Sequence, residues 1–167
     1  EDEEMTQPHR LWSLAQQIVD KAGAEGLMLA TAESCTGGMI AAAITDVPGS
    51  SAVFDRGFVT YSNEAKAEML GVSPEKIGRH GAVSQQVALE MARGAILNSR
   101  ADIAVATTGI AGPTGGSDTK PVGLVWFALV TRGGIVRAER RVFASGDRSF
   151  VRMRATETAL MLALLAI

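Results

Sequence analysis

The sequence predicts an α/β domain, a three-layer α/β/α sandwich around a mixed, mostly parallel sheet. Segments with apolar residues at helical spacing alternate with short apolar runs early in the chain, and a β-hairpin pattern follows late. The length of 167 residues, with 47% hydrophobic and 20% charged residues, suits one globular domain. We therefore expect a single domain over residues 1–167, with the first few residues outside its folded part.

The first predicted elements are a helix, a strand and a second helix. The opening helix runs to Lys21 and carries four apolar residues at helical spacing: Leu11, Leu14, Ile18 and Val19. Residues 27–30 (LMLA) predict a short buried strand, and residues 39–44 (MIAAAI) predict a helix of small residues. Polar residues and two glycines lie between them, so the predicted order is strand, glycine turn, helix.

The next elements begin at typical helix caps. Residues 57–61 (GFVTY) predict a second strand, and Ser62 is a good N-cap for a helix over residues 63–70. Gly71 ends that helix. Ser73, which precedes a proline, predicts the start of a further short helix.

The last part of the chain predicts a longer helix, a strand, a hairpin and a final helix. Ser84 caps the longer helix, whose apolar residues stand three and four positions apart: Val87, Met91, Ala95 and Ile96. Residues 103–106 predict a strand that runs into a glycine-rich loop. Residues 122–130 and 135–142 flank an Arg-Gly-Gly turn, which is typical of a β-hairpin. The final helix starts at about Asp147.

Composition excludes several classes of function. The formal charge is −2 and the pI is about 5.7, so the protein as a whole attracts neither nucleic acid nor an anionic membrane. The late apolar stretch at residues 159–167 is too short to span a bilayer, and the acidic first residues are unlike a signal peptide. One cysteine excludes an intramolecular disulfide, and two histidines cannot fill the usual zinc spacings. We expect a cytoplasmic protein without cofactor, metal, nucleic-acid or membrane partner.

Polar clusters follow three of the predicted strands, at residues 33–38, 61–63 and 107–109. The carboxyl ends of parallel strands meet at one edge of a sheet, so a single crevice can collect all three clusters. The glycine pair 37–38 at a helix start lets backbone N–H groups approach a phosphate or a developing oxyanion. A purely structural turn is the equally open alternative.

Standard nucleotide fingerprints and a histidine-based triad find little support. No P-loop pattern occurs, and residues 109–116 do not fit the dinucleotide-binding GxGxxG pattern. The one internal histidine, His80, lies in a glycine-flanked segment that predicts a surface turn. A nucleophilic serine would therefore need another base.

Ser34 and Lys66 are the candidate nucleophile and base. Burial can lower the pKa of a lysine from about 10.4 towards neutrality, and Tyr61 can pass a proton to a leaving group. Spacing alone favours plainer roles, with Lys66 facing solvent on a helix and Tyr61 packed at a strand end. Cys35 is a rival nucleophile, because a helix start activates a thiolate, although most lone cysteines are inert. The residues themselves leave these alternatives open.

Five motifs, in order over nearly the whole chain, closely resemble the CinA C-terminal domain family. They are residues 32–38 (AESCTGG), 47–51 (VPGSS), 57–66 (GFVTYSNEAK), 81–84 (GAVS), and 108–113 (TGIAGP) together with 120–123 (KPVG). Five linked motifs are far more specific than a single glycine turn. The length leaves no room for the N-terminal domain of the longer CinA proteins, so we expect the stand-alone form of the domain.

The resemblance implies an amidohydrolase that converts nicotinamide mononucleotide, a small nucleotide substrate, to nicotinic acid mononucleotide and ammonia. It places the family's catalytic residues at Ser34, Tyr61 and Lys66, and it favours Ser34 over Cys35. It also implies a substrate pocket formed by residues at motif positions: Thr36, Gly37, Gly38, Asn63, Thr108, Gly109 and Gly112. A homodimer that needs no metal is implied as well.

The resemblance also suggests a mechanism. Ser34 attacks the amide carbon, while Lys66 and Tyr61 move the proton and protonate the departing ammonia. Backbone N–H groups near residues 36–38 or 108–109 would hold the oxyanion.

Two points stay open at this stage. Arg148 and Arg152 are candidates to bind the 5′-phosphate, and their spacing of four fits a solvated helix face equally well. The function itself has an alternative, a non-catalytic nucleotide- or partner-binding module linked to competence or DNA damage. Binding of the mononucleotide without its consumption would favour that module.

Overall fold

The elements follow the predicted order along residues 7–167, the part of the chain that the structure, a computed structural model, describes. The expectation for the first few residues lies outside this range. The helices and strands are α1 (Gln7–Glu25), β1 (Leu29–Glu33), α2 (Met39–Thr45), a 3-10 turn (Ser50–Ala52), β2 (Phe54–Val59), α3 (Asn63–Leu70), α4 (Pro74–His80), α5 (Gln85–Leu97), β3 (Ile103–Gly109), β4 (Leu124–Thr131), β5 (Val136–Val142) and α6 (Arg148–Leu165).

The strands form one five-stranded sheet in the order β2-β1-β3-β4-β5. β1 pairs in parallel with both β2 and β3, whereas β4 runs antiparallel to β3 and β5. Only β4 therefore opposes the direction of the other strands, and the sheet is mixed and mostly parallel as the sequence predicts. The late hairpin is β4 with β5.

Helices cover both faces of the sheet, which makes three layers. Ile103 and Val105 of β3 point to the face where α1, α2 and α6 pack. Ala104 and Ala106 of the same strand point to the other face, against α5. This alternation along a central strand divides the buried apolar side chains into two clusters, one on each face.

Several predicted bounds are shifted. β1 starts later than predicted and continues through Glu33, because the polar residues Thr31 and Glu33 are buried in a central strand instead of forming a turn. β2 lies nearer the N-terminus than predicted and includes Asp55, since an edge strand tolerates charged residues. β3 continues to Gly109, into the segment predicted as a loop.

The caps that the sequence predicts are present. The side chain of Ser62 accepts a hydrogen bond from the Ala65 N–H at 3.0 Å, and Ser84 accepts one from Val87. Gly71 ends α3 in the left-handed conformation, at φ 70°. The predicted surface turn at His80 is wrong, because this half-buried residue is the last one of α4.

A close helix contact fixes the position of α3. A Cβ at Gly94 of α5 would overlap the carbonyl of Leu70, the last residue of α3, so only glycine permits this approach. The contact holds the short helix that carries Lys66 against the domain. In the part of the chain that the structure describes, no helix is both long and apolar enough to cross a membrane.

Candidate active site

The carboxyl ends of the three parallel strands meet at one edge of the sheet. Glu33 at the end of β1 stands beside Val59 of β2 and Thr107 of β3. The residues that follow these ends line a cavity of about 180 Å³, as the strand order predicts. Its lining consists of Ser34, Cys35, Tyr61, Asn63, Lys66, Ala82, Val83, Thr108, Gly109, Ala111 and Arg148.

The buried carboxylate of Glu33 holds the turn between β1 and α2. It accepts hydrogen bonds from the Thr36 hydroxyl at 2.6 Å, the Ile40 N–H at 2.9 Å and the Ala41 N–H at 3.1 Å. A negative charge at a helix N-terminus is favourable, and it satisfies N–H groups that the helix itself leaves free. Glu33 therefore anchors the turn that carries Ser34. Sequence reasoning missed this role, although an acidic residue between a buried strand and a helix start is a usable signal.

Thr36, Gly37 and Gly38 form this turn but do not line the cavity. Thr36 is fully buried, and its hydroxyl also lies 2.9 Å from that of Thr107. Gly37 and Gly38 both adopt positive φ values, 59° and 105°, which turn the chain from the strand into α2. The structure thus places all three behind Ser34, and their contact with substrate stays a prediction.

Lys66 is buried and lies against Ser34. Only 1% of its surface is exposed, and its Nζ is 3.1 Å from the Ser34 Oγ. The same Nζ donates hydrogen bonds to the backbone oxygens of Thr60 at 2.9 Å and Tyr61 at 3.1 Å. The solvent-facing alternative for Lys66 is therefore wrong.

These partners allow Lys66 to give up a proton in one direction. Burial lowers the pKa of Lys66 from its ordinary value of 10.5, because the charged form loses its hydration. A neutral amine has two N–H donors and one lone pair. In the ammonium form, Nζ donates one N–H to Ser34 Oγ and one to each carbonyl. When one proton is lost, the two carbonyls can only accept and keep the two remaining donors, so the lone pair faces Ser34 Oγ. Lys66 is thus positioned as a base towards Ser34.

Cys35 lies beside Ser34 but is not activated. Burial raises the pKa of its thiol to about 12, so the thiol is protonated at neutral pH. Gly109 makes room for it, since a Cβ at that position would lie 3.1 Å from the Cys35 Sγ. Of the two candidate nucleophiles, Ser34 and Cys35, the structure therefore favours Ser34, because the Lys66 amine contacts its hydroxyl.

Tyr61 is an exposed residue at the mouth of the cavity. Its surface is 62% exposed, so the alternative of a packed strand-end residue is wrong. Its hydroxyl accepts a hydrogen bond from Arg148 Nη2 at 3.0 Å. Arg148 Nη1 donates to the Gly112 carbonyl at 2.8 Å, which joins the start of α6 to the loop after β3. Arg148 and Tyr61 therefore lie together at the rim. Gly112 does not line the cavity, and its carbonyl binds Arg148.

Arg152 supports the turn from outside. Its Nε donates to the Cys35 carbonyl at 3.1 Å, and its Nη2 lies 3.5 Å from the Thr36 carbonyl. Thr108, by contrast, lines the cavity, and its hydroxyl binds the Ala82 carbonyl at 2.9 Å. The predicted pocket residues thus divide into those that line the cavity, such as Thr108, and those that position its walls.

The backbone N–H of Cys35, a residue that lines the cavity, is a candidate donor to an oxyanion. The N–H groups of Cys35, Thr36 and Gly38 have no acceptor among the described residues, whereas the Gly37 N–H donates to the Ser34 carbonyl at 3.0 Å. The N–H of the residue after a nucleophile is a common oxyanion donor. Cys35 directly follows Ser34, the candidate nucleophile.

A larger cavity lies elsewhere, between α1, α2 and α6, with a volume of about 600 Å³. Its lining is mainly apolar, and the hydroxyl of Thr156 there is already bound to the Arg152 carbonyl. Within residues 7–167, no three His, Cys, Asp or Glu side chains are grouped so that they could hold a metal ion. Chemistry, rather than cavity size, therefore identifies the site at Ser34.

Comparisons with known proteins give consistent matches. The family model of the CinA C-terminal domain matches residues 11–167. The nicotinamide-nucleotide amidohydrolase PncC of Escherichia coli K12 is 56% identical over 150 residues, which cover 90% of either chain. A CinA-like protein of Akkermansia muciniphila is 51% identical over 148 residues, covering 89% of this chain and 36% of that one. The crystal structure of competence/damage inducible protein CihA from Agrobacterium tumefaciens has 52% identity and a TM-score of 0.92, covering 94% of both chains.

Proposed function

This chain belongs to the CinA C-terminal domain family, and we propose that it is an amidohydrolase that converts nicotinamide mononucleotide to nicotinic acid mononucleotide and ammonia. The observation that carries this proposal is the contact of a buried lysine amine with a serine hydroxyl at the edge of a strand-end cavity. Relatives named for this activity cover most of this chain and most of their own length. A Ser-Tyr-Lys mechanism is the finer part of the proposal.

The first half of the reaction forms an ester on Ser34. Neutral Lys66 takes the Ser34 proton while the Oγ bonds to the carboxamide carbon, which gives a tetrahedral oxyanion. The C–N bond then breaks, and the proton passes to the nitrogen through Tyr61, so that ammonia departs. Ser34 remains joined to the nicotinate carbonyl. Lys66 ends this half neutral again, ready for a second proton transfer.

The second half releases the acid. A water molecule gives a proton to Lys66 while its oxygen bonds to the ester carbon. The bond from this carbon to the Ser34 Oγ then breaks, and Lys66 returns the proton to the serine. Two carbonyls hold the amine beside Ser34 throughout both halves. The N–H of Cys35 is our candidate oxyanion donor in both halves.

The proposal also covers the cellular location and the oligomeric state of the protein. We place the reaction in the reducing cytoplasm, because the single cysteine is a buried thiol that needs no partner. We also propose a homodimer, because the resemblance to the CinA C-terminal domain family implies one. Light scattering coupled to size-exclusion chromatography tests this state directly.

Ammonia release from nicotinamide mononucleotide tests the function. The wild type and Cys35→Ala are expected to release ammonia, whereas Ser34→Ala and Lys66→Met are expected to lose nearly all turnover. Tyr61→Phe is expected to lower kcat, since it removes the hydroxyl that carries the proton. Wild-type protein that binds the mononucleotide without consuming it would instead support the non-catalytic module. Full turnover by Ser34→Ala would exclude the serine mechanism.

A further inference from the structure

The cavity at Ser34 is too small for a whole nucleotide. Its volume of about 180 Å³ lies below the ~300–1,000 Å³ that is usual for ligand pockets. It can enclose the ring and carboxamide that react, while the ribose and the 5′-phosphate lie at the rim. A phosphate at the rim requires a local cation, because the formal charge of the protein is −2.

The two arginines near the site are already engaged. Arg148 donates to the hydroxyl of Tyr61 and to the carbonyl of Gly112. Arg152 donates to the carbonyls of the turn after Ser34, behind the cavity. Arg152 therefore supports the wall, whereas Arg148 lines the cavity, orients Tyr61 and keeps further N–H donors. A phosphate carries close to two negative charges, so a second cation beside Arg148 is expected.

Lys120 is a half-buried lysine on the loop between β3 and β4. Its Nζ donates to the carbonyl of His80, the last residue of α4, and lies against Gly81. A Cβ at Gly81 would be 2.6 Å from that Nζ. Gly81 directly precedes Ala82 and Val83, which line the cavity. The Lys120 ammonium thus lies outside the cavity lining, against the residue that directly precedes the cavity wall.

The ammonium has capacity for a ligand. It carries three N–H donors, and among residues 7–167 only the His80 carbonyl takes one of them. No carboxylate in that range forms an ion pair with it, whereas Lys76 pairs with Glu90. The loop holds the residue in place, since the Ser117 N–H donates to the Lys120 carbonyl at 2.7 Å. A positioned cation next to the residues that precede Ala82 and Val83 can serve an anionic group that extends out of the cavity.

We propose that the Lys120 ammonium binds the 5′-phosphate of the nucleotide, an inference that rests on the function proposed above. The competing role is structural, because a cation near the last carbonyl of α4 also stabilises that helix end. The two roles differ in one respect. Loss of a phosphate contact penalises only a substrate that carries the phosphate, whereas a displaced wall penalises every substrate.

The test compares nicotinamide mononucleotide with nicotinamide riboside, which lacks the phosphate, in Lys120→Met and Lys120→Arg. A charge-assisted hydrogen bond corresponds to roughly 10- to 100-fold in kcat/KM, so Lys120→Met should lose about that for the mononucleotide. For the riboside, the loss should stay within about twofold, as for an ordinary surface substitution. Lys120→Arg should recover part of the loss. Lys21→Met, an exposed lysine of α1, is the matched control.

Equal losses for the two substrates would overturn the inference, as would a wild type that uses both equally well. If the wild type hydrolyses neither compound, the proposed function fails. Calorimetric titration of the wild type and Lys120→Met with the same two compounds then tests the phosphate contact by binding alone. A selective loss of mononucleotide binding in Lys120→Met would support the phosphate site. Unchanged binding would reject it.

Discussion

Replacement of Lys66 by methionine tests the role of the buried amine. Methionine is similar in length and apolar, but it has neither the lone pair that faces Ser34 nor the donors to the carbonyls of Thr60 and Tyr61. A positioned general base contributes about 10²- to 10⁴-fold in rate. We expect kcat/KM of Lys66→Met to fall by at least about 10³-fold, or about 4 kcal/mol of activation free energy, because the same base serves both halves of the reaction.

The pH dependence of the wild type gives the second part of this prediction. A lysine with the ordinary pKa of 10.5 would be neutral in only about 0.03% of molecules at pH 7. Burial lowers the pKa of Lys66, and each unit of lowering raises the neutral fraction about tenfold. Below that pKa, kcat/KM should rise about tenfold per pH unit, and it should level off above it. A coupled assay for ammonia at saturating coupling enzyme measures this profile.

Lys66→Arg distinguishes a base from a fixed positive charge. The guanidinium keeps the charge and the donors, but it does not lose its proton in proteins. If Lys66 acts as the base, Arg should be as inactive as Met, with the far-UV circular dichroism of the wild type. An Arg or Met variant that retains activity within about tenfold, or a wild-type profile that is flat with pH, would refute the base assignment.

The remaining predictions concern neighbouring residues and stability. Cys35→Ala should keep kcat within about threefold, because the thiol is protonated. A strong loss of turnover would instead indicate that Cys35 is the nucleophile. Glu33→Gln should lower the free energy of unfolding in urea by about 1–3 kcal/mol and reduce kcat, because an amide cannot accept all three bonds of the carboxylate; unchanged values would remove its anchoring role. Between the lowered pKa of Lys66 and 10.5, the unfolded chain holds one more proton than the folded one. The unfolding free energy of the wild type should therefore rise relative to Lys66→Met by about 1.4 kcal/mol per pH unit in that window, and a constant difference would contradict the lowered pKa. Gly109→Ala should destabilise the protein, because a Cβ there would lie 2.9 Å from the Leu124 carbonyl, and a melting temperature equal to that of wild type would contradict this close packing.

Local chemistry explains why much of the fold was predictable. Ser62 and Gly71 act through their own backbone neighbourhood, so the bounds of α3 follow from the sequence alone. Strand bounds were less accurate, because burial in the centre of the sheet overrides the polar character of Thr31 and Glu33. The site residues at the strand ends follow from topology, since three parallel strands bring their carboxyl ends to one edge.

The state of individual side chains was not predictable in the same way. Lys66 stands between acidic residues on a short helix with little amphipathic character, so its spacing favours exposure. Its burial depends on distant residues, in particular on the close approach of α5 to α3 at Gly94. The same holds for Lys120, whose side chain contacts the end of α4, 40 positions earlier in the chain. Such long-range contacts leave no local pattern in the sequence.

The central claim is that Ser34, activated by Lys66, forms the ester with the substrate carbonyl. Rapid acid quench of the wild type during turnover of nicotinamide mononucleotide, followed by peptide mass spectrometry, tests this directly. We predict an adduct equal in mass to nicotinic acid mononucleotide minus water on Ser34, which Ser34→Ala lacks and Cys35→Ala retains. An adduct on Cys35, or ammonia release by Ser34→Ala at the wild-type rate, would contradict the claim.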